Sequence, residues 1–522
     1  MSINQDTLQV VPDLIHAFTE MARRNPRHPA IVQRGRTLDY GRLAELANTL
    51  ARRLGPDPGT VSVPAVHTAE TVVALLGVLT AGGVYCPIDP AFPAARRHAM
   101  ATAANCRTAI LGEAGADHQL DARLVELPAL SEFPGEPPGT PPADRAASGP
   151  EHPAYILFTS GSTGQPKPVA TPRRAVAATA HALRDLFHLT PQDRVLQFAS
   201  LNWDTCFEEI LPALTAGATL VLDPDAHCGS FPRFLRMVER ERITVLDLPT
   251  AFWHELVHHL VDDRAELPPR VRLLVIGGEA VQPARLDDWA RLDTGRIRLL
   301  NTYGCTETTQ ITHAVDLSGP LAREPARPGA DRAPAARAPI GHALPHVIER
   351  LGDQGELLIG GPGLALGYPG LPEATAARFT TVDGERYFRT GDRVSRSPDG
   401  LLTHQGRLDG ELKVRGVRVD PAEVEAHLTG HPEVNAAAVT GAALAGRTTL
   451  LAYVVARRHT SPPDLAGELL SYLRARVPGH LVPGRITVVP RLVHTPSGKV
   501  DRAGCHLRYG AHDRSKETSV EH

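Results

Sequence analysis

Thr159-Ser160-Gly161-Ser162-Thr163-Gly164-Gln165-Pro166-Lys167 directly follows the apolar run Ala154-Tyr155-Ile156-Leu157-Phe158. Three features of this stretch decide how the rest of the chain is read. Glycines let the backbone approach a ligand closely, and hydroxyls with exposed N–H groups donate to oxyanions. Lys167 adds a mobile positive charge. Such a loop after a strand suits a polyphosphate. It is not a Walker A loop, because Lys167 is neither preceded by Gly nor followed by Ser or Thr. The plainer alternative, a flexible Ser/Gly turn, would account for any four of these residues but not for the whole run.

Working outward, 522 residues are too many for one ordinary core and imply at least two domains. The formal net charge of −3 gives no global support for a nucleic-acid or anionic-membrane partner. Cys86, Cys106, Cys206, Cys228, Cys305 and Cys505 show no CxxC spacing, so neither a disulfide framework nor a cysteine zinc site is indicated. The polar start, Met1 to Asp6, and the lack of a long apolar run predict a reduced, cytoplasmic protein.

Two stretches rich in Pro, Gly and Ala, 131–150 and 318–339, read as surface loops or linkers. Between them strand-like runs alternate with helical patterns: Arg194 to Phe198, Ala218 to Leu222, Ile243 to Leu248, Val271 to Ile276 and Ile297 to Leu300. That alternation predicts an α/β fold whose parallel or mixed sheets are flanked by helices. Ligands in such sheets bind beyond the carboxyl ends of the strands. There the chain places Gly277-Gly278-Glu279-Ala280 and Asn301-Thr302-Tyr303-Gly304. The last hundred residues read as a separate small α/β unit, with a strand pair near 412–419 and a helix from Pro421.

Together with Asn301-Thr302-Tyr303-Gly304-Cys305-Thr306-Glu307-Thr308 and Tyr387-Phe388-Arg389-Thr390-Gly391-Asp392, the loop resembles motifs of the adenylate-forming superfamily. More narrowly, the chain resembles an adenylation domain of nonribosomal peptide synthesis, from about Leu38 to Arg502. The run Leu79 to Pro90 is similar to the amino-acid-activating branch. Gly355-Glu356-Leu357, Gly367-Tyr368, Arg378-Phe379, Gly406-Arg407-Leu408-Asp409, Lys413-Val414-Arg415-Gly416 and Pro496 to Arg502 follow in order. The resemblance implies a large N-terminal domain with a β-barrel-like part over 1–408 and a small mobile lid domain over 409–510. The hinge would be Asp409, and 511–522 a polar tail.

The activity implied is attack of an amino acid carboxylate on the α-phosphate of ATP, giving an aminoacyl-adenylate and pyrophosphate. Two anions repel, so such a site needs cations and oriented donors where charge gathers. By resemblance, Thr159, Ser160, Gly161, Ser162, Thr163, Gly164 and Lys167 hold the leaving phosphates, while Glu307 with Thr163 positions Mg²⁺. Gly278, Glu279, Ala280, Asn301, Thr302, Tyr303, Gly304 and Thr306 belong to the nucleotide site, with the Tyr303 ring as the adenine face. Asp392 suits the two ribose hydroxyls, because one carboxylate can accept both. Arg407 would contact ribose or phosphate, and Lys499 would bridge the substrate carboxylate and the α-phosphate. In the second half-reaction the acyl group passes to the phosphopantetheine thiol of a peptidyl carrier protein, with Gly416 along the path of that arm. No Gly-Gly-x-Ser carrier segment follows, so a free-standing enzyme that loads its carrier in trans is expected. A small activator protein, as some relatives need, is a further open partner. Pro168, Arg173, Cys305 and Trp203 depart from the usual family residues.

Aligned with the family's pocket, Trp203 to Glu209 contributes Asp204, Thr205 and Glu208 to the substrate site. Asp247, Val275, Gly277, Thr302, Gln310, Ile311 and Lys499 complete it. Asp204 would pair with the substrate α-amine. Glu208 and Asp247 then remain as two further acids. Buried unpaired carboxylates cost several kcal/mol each, so the pair implies a cationic ligand or protonation. A second ammonium satisfies it, and Gly277 and Thr205 would leave length for one. The set resembles pockets for lysine, ornithine and especially β-lysine. Arginine, with its broad planar group, would favour a wider cavity.

Other readings compete. His254-Glu255-Leu256-Val257-His258 is an HExxH string, which on a helix can chelate zinc with the glutamate as base. It lies where the resemblance expects a helix packed beside the pocket. An acyl-CoA ligase for an organic acid would have no use for three pocket acids. A degenerate ATP-binding regulator would not need Thr163, Glu307, Asp392 and Lys499 together.

Overall fold

The computed structural model describes residues 12–111, 122–130, 149–160, 166–322, 337–408, 412–414, 417–444, 447–457, 464–494 and 500–510. Of the residues singled out above, Met1 to Asp6, Gly161, Ser162, Thr163, Gly164, Gln165, Asp409, Arg415, Gly416, Pro496 to Lys499, most of the 131–150 and 318–339 stretches and the 511–522 tail lie outside them. The chain divides into two compact units. One comprises Met1–Pro90, Met100–Phe158 and Pro168–Leu408; the other comprises Ala91–Ala99, Thr159–Lys167 and Asp409–His522.

The larger unit is built on a nine-stranded sheet. Its centre is six parallel strands in the order Arg298–Gly304, Leu273–Gly277, Val245–Pro249, Arg194–Leu196, Thr219–Leu222 and Pro29–Gln33. Antiparallel strands flank them: Ile311–Ser318 and His342–Ala343 at one edge, Arg36–Asp39 at the other. Apolar residues on both faces explain the continuous runs, since each side of a parallel sheet must be covered by helices. On one face Val245, Leu273, Val275 and Leu300 join a core with helices Tyr40–Leu54, Ala69–Thr80 and Thr205–Ala216. On the other, Leu246, Leu274, Ile276 and Leu299 pack with Trp253, Leu256 and Trp289 of helices Thr250–Asp262 and Pro283–Arg291.

A six-stranded sheet carries the strands Thr60–Pro64, Val84–Ile88, Pro153–Thr159 and Lys167–Pro172 among its members. A five-stranded antiparallel sheet holds Glu356–Gly360, Glu385–Arg396 and Leu402–Arg407. In the smaller unit, strands Val434–Leu444, Arg447–Ala456 and Arg485–Val488 form one sheet. Helices Pro421–Thr429 and Leu465–Arg474 bury Val424, Leu428, Leu469 and Leu473 in a core with it. The Leu412–Val414 and Val417–Val419 strands pair antiparallel.

Candidate active site

Strand alternation sorts the candidate residues onto two faces. Asp247 lies opposite Val275, Val275 opposite Leu300, and Gly277 opposite Thr302. These positions share the face that packs against helix Thr205–Ala216. Asn301 and Tyr303 alternate with them and point the other way. One short strand thereby presents candidate residues on both faces.

On the first face Glu208, in the first turn of the helix, and Asp247 are both buried. Burial raises Asp247 to about 7 and pushes Glu208 well above the carboxylate range, and for Glu208 the charges of Asp247 and Asp204 add to the effect. Oδ2 of Asp247 is buried without a hydrogen-bond partner. Burial of two neighbouring acids favours their protonated forms, and a bound cation would favour the charged ones. Asp204 stands at the helix N-cap yet makes no capping bond. Burial raises it to about 6, against the opposing pull of the Gln310 N–H and the Thr306 hydroxyl. No larger residue fits at Gly277, because a Cβ there would lie 2.5 Å from Thr302 Oγ1. Thr302 spends its hydroxyl on the Ile276 carbonyl at 2.9 Å. Thr205 opens the helix and is partly exposed, and Ile311 is buried.

The Gln310 N–H reaches Asp204 through an unusual turn. Thr309 and Gln310 both have positive φ, 60° and 65°, and both are buried. A β-branched residue in that region is strained. Here the conformation is held by Thr309 Oγ1 donating to the Gly363 carbonyl at 2.7 Å and by Thr179 donating to the Thr309 carbonyl at 3.3 Å. Gly304 is required beside it, since a Cβ would come within 1.7 Å of the Gln310 carbonyl oxygen. Both amide atoms of the Gln310 side chain are buried without partners.

On the other face, Tyr303 donates its hydroxyl to Asp392 Oδ2 at 2.6 Å. Arg407 donates to Asp392 Oδ1 at 3.1 Å, and His404 Nε2 contacts the same oxygen at 2.9 Å. The Thr390–Asp392 part of the Glu385–Arg396 strand is fixed by Glu356, which accepts from the Gly391 N–H at 3.1 Å and from Arg389 at 2.7 Å. Asn301 donates to the Pro339 carbonyl at 2.7 Å, while its Oδ1 is buried without a partner. That orphaned acceptor fits an amine donor such as the one adenine carries, and Asp392 fits a ribose.

Glu307 is buried and accepts from the Tyr368 hydroxyl at 2.8 Å. A hard carboxylate oriented by a neighbouring donor is a suitable ligand for Mg²⁺. Cys305, one of the departures from the usual family residues, forms a capping box with Thr308 around the Thr306–Thr308 turn that carries Glu307. Arg173, the other notable departure, is an ion pair with Asp13 at 3.1 Å and donates to the Leu79 carbonyl. In the smaller unit, Ser160 Oγ donates to the Arg418 carbonyl at 3.1 Å and accepts from the Asp420 N–H at 2.9 Å. Thr159 Oγ1 is buried without a partner, and Lys167 is partly exposed.

Gly278, Glu279 and Ala280 follow the Leu273–Gly277 strand, with Gly278 at φ 87°. They lead to Gln282, whose N–H donates to His254 Nε2 at 3.0 Å. That bond engages one ring nitrogen of the HExxH string, and burial lowers His254 to about 4. His258 faces outward and pairs with Asp262 at 3.2 Å. The string is a packed helix, and its two histidines serve different surroundings.

The AMP-binding enzyme family matches residues 18–369, and its C-terminal domain matches 423–499. The chain belongs to that family. It is 40% identical over 486 residues to an isonitrile lipopeptide synthase of Streptomyces coeruleorubidus, covering 91% of this chain and 32% of that protein. It is 35% identical over 524 residues to novobiocin biosynthesis protein H of Streptomyces niveus, covering 94% and 82%. Among solved structures, an NRPS protein containing adenylation and PCP domains superposes with a TM-score of 0.78 at 26% identity, covering 95% and 84%. The chain spans less than half the length of the first curated relatives it matches. No helix among the described residues is long and apolar enough to cross a membrane.

Sequence reasoning assigned no role to His404, Glu209, Tyr368 or Thr309. Glu209 accepts from the Phe198 and Ala199 N–H groups, both at 2.9 Å, and from Gln197 at 3.0 Å. The neighbouring Glu208 feels the charges of both Asp247 and Asp204. The helical period separates the two, but a sequence without a register does not say which one faces inward. His404 carried no motif signal.

Proposed function

We propose that this chain activates an amino acid with ATP and passes it to a carrier. The substrate carboxylate oxygen forms a bond to the α-phosphorus, the α–β phosphoanhydride bond breaks, and pyrophosphate leaves. The aminoacyl group then moves to a phosphopantetheine thiol of a peptidyl carrier protein, releasing AMP. Asn301 and Tyr303 would hold the base and Asp392 with Arg407 the ribose. Thr159 to Lys167 would hold the phosphates, and Lys499 would stabilise the charge that builds between carboxylate and phosphate. Mg²⁺, when bound at Glu307, supplies neutralisation of the triphosphate. A lid turning at Asp409 would separate the two half-reactions.

The substrate proposed is a basic diamino acid: β-lysine, lysine or ornithine. One observation carries this reading: Glu208 and Asp247 are buried together beside Asp204. Three acids in one pocket call for two ammonium groups, with Asp204 taking the amine nearer the carboxylate. The test is amino-acid-dependent exchange of labelled pyrophosphate into ATP, over the common amino acids plus ornithine and β-lysine. Exchange with one diamino acid is expected. Exchange only with a neutral or acidic amino acid would overturn the pocket assignment. AMP formation that requires an organic acid and coenzyme A would overturn the amino acid reading in favour of an acyl-CoA ligase.

A further inference from the structure

The Leu402–Arg407 strand pairs with Glu385–Arg396 in a broken register. Asp392 lies opposite Arg407 and Arg393 opposite Gly406, but Val394 lies opposite His404. Gln405 is the extra residue, and Gly406 takes φ 121° to accommodate it. In a regular strand, residues three apart point to opposite faces. The bulge re-phases the strand so that His404 and Arg407 both aim at Asp392.

The consequence lies in counting lone pairs. A carboxylate offers roughly four acceptor sites. In this structure at least three donors occupy those of Asp392: His404 and Arg407 on Oδ1, and Tyr303 on Oδ2. A ribose diol brings two more. One resident donor must leave. Moving Arg407 would break an ion pair whose side chains are 10% and 1% exposed, and the Tyr303 hydroxyl bond is buried. His404 keeps 30% of its side chain exposed and can turn toward solvent.

We propose that His404 is a placeholder for a ribose hydroxyl, bonded to Asp392 until a nucleotide displaces it. The inference rests on the nucleotide-binding reading of Asp392. By holding the carboxylate in place it keeps the site ordered, and it weakens nucleotide binding by the bond that must be broken.

Calorimetric titration of the full chain with AMP, without amino acid, tests this. His404→Phe keeps a ring and removes both nitrogens, and AMP should bind it about fivefold tighter than wild type. The 2′,3′-dideoxy analogue, which has no diol to install, should bind both proteins equally. That second arm separates displacement from a general change of the pocket. Should the phenylalanine variant not fold, His404→Leu also lacks a donor and carries the same expectation. AMP binding that is unchanged or weaker in the variant, with dideoxy-AMP binding preserved, overturns the inference. Failure of wild type to bind AMP overturns the nucleotide reading and this inference with it.

Discussion

Thr309 donates its hydroxyl to the Gly363 carbonyl at 2.7 Å while its own backbone sits at φ 60°. The bond steadies a turn that would otherwise relax, because a left-handed non-glycine residue costs about 1–2 kcal/mol. The turn delivers the Gln310 N–H to Asp204, the acid proposed to hold the substrate amine. Thr309→Val keeps the shape and loses the bond. The amino acid KM is expected to rise about tenfold with a much smaller change in the ATP KM. Thr309→Ser should restore it. Equal rises in both constants would make Thr309 a general brace only.

The pocket acids carry a pH signature. Asp247 is held at about 7 in the folded protein, against about 4 for an unfolded aspartate. The folded state therefore binds the proton more tightly, and this group's contribution is lost as pH rises through that window. Substrate-free protein should melt at progressively lower temperature between about pH 4 and pH 7, with a contribution on the order of 2–4 kcal/mol. Asp247→Asn should flatten that fall, seen in melting curves across the range. At about pH 8 the preferred diamino acid should stabilise wild type and fail to stabilise the variant. An unchanged slope in Asp247→Asn would place the proton elsewhere.

Asp392 accepts at both oxygens, and Asn can accept at only one. Its amide nitrogen would also face a donor that now bonds the carboxylate. Asp392→Asn should weaken AMP binding about a hundredfold, measured by titration, and leave the amino acid KM within about twofold. A matching loss in amino acid affinity would show that the substitution disturbs more than the ribose site.

The legible parts of this molecule were those whose residue type dictates geometry. β-branched and Leu-rich runs between polar turns gave the strands of the nine-stranded sheet, and the glycine clusters marked their carboxyl ends. Asp392 and Tyr303, singled out by their order along the chain, lie within hydrogen-bond reach of each other. Less legible was anything decided by register. Gly277 was noted for the length it leaves, but only the strand pairing shows Thr302 across from it, with its hydroxyl where a Cβ would stand. His404 became visible only once a bulge had turned it toward Asp392. The Thr309–Gln310 turn was hidden because neither residue favours positive φ, so no local preference announces it.

Lys499 is proposed to act on the charge that builds during acyl-adenylate formation and not on nucleotide affinity. Lys499→Ala should bind AMP within about threefold of wild type and lose at least about a hundredfold in pyrophosphate exchange. Full exchange activity in the variant would remove the residue from the chemistry.

Glu208 and Glu209 are adjacent acids with opposite expectations. Glu209 accepts three N–H groups, from Gln197, Phe198 and Ala199, and so closes the end of a central strand. Glu209→Ala leaves those buried donors unsatisfied and should destabilise the fold by about 3 kcal/mol or more, seen as a lower denaturation midpoint. Glu208 is buried beside Asp247, and burial together with the Asp247 charge raises its pKa. Glu208→Gln removes that repulsion, so the substrate-free protein should be as stable as wild type or more so. The same change should lower kcat/KM for the diamino acid about a hundredfold, because the second ammonium loses a buried charge partner. If instead Glu208→Gln unfolds the protein and keeps its selectivity, the acid is structural and the pocket reads something other than a second amine.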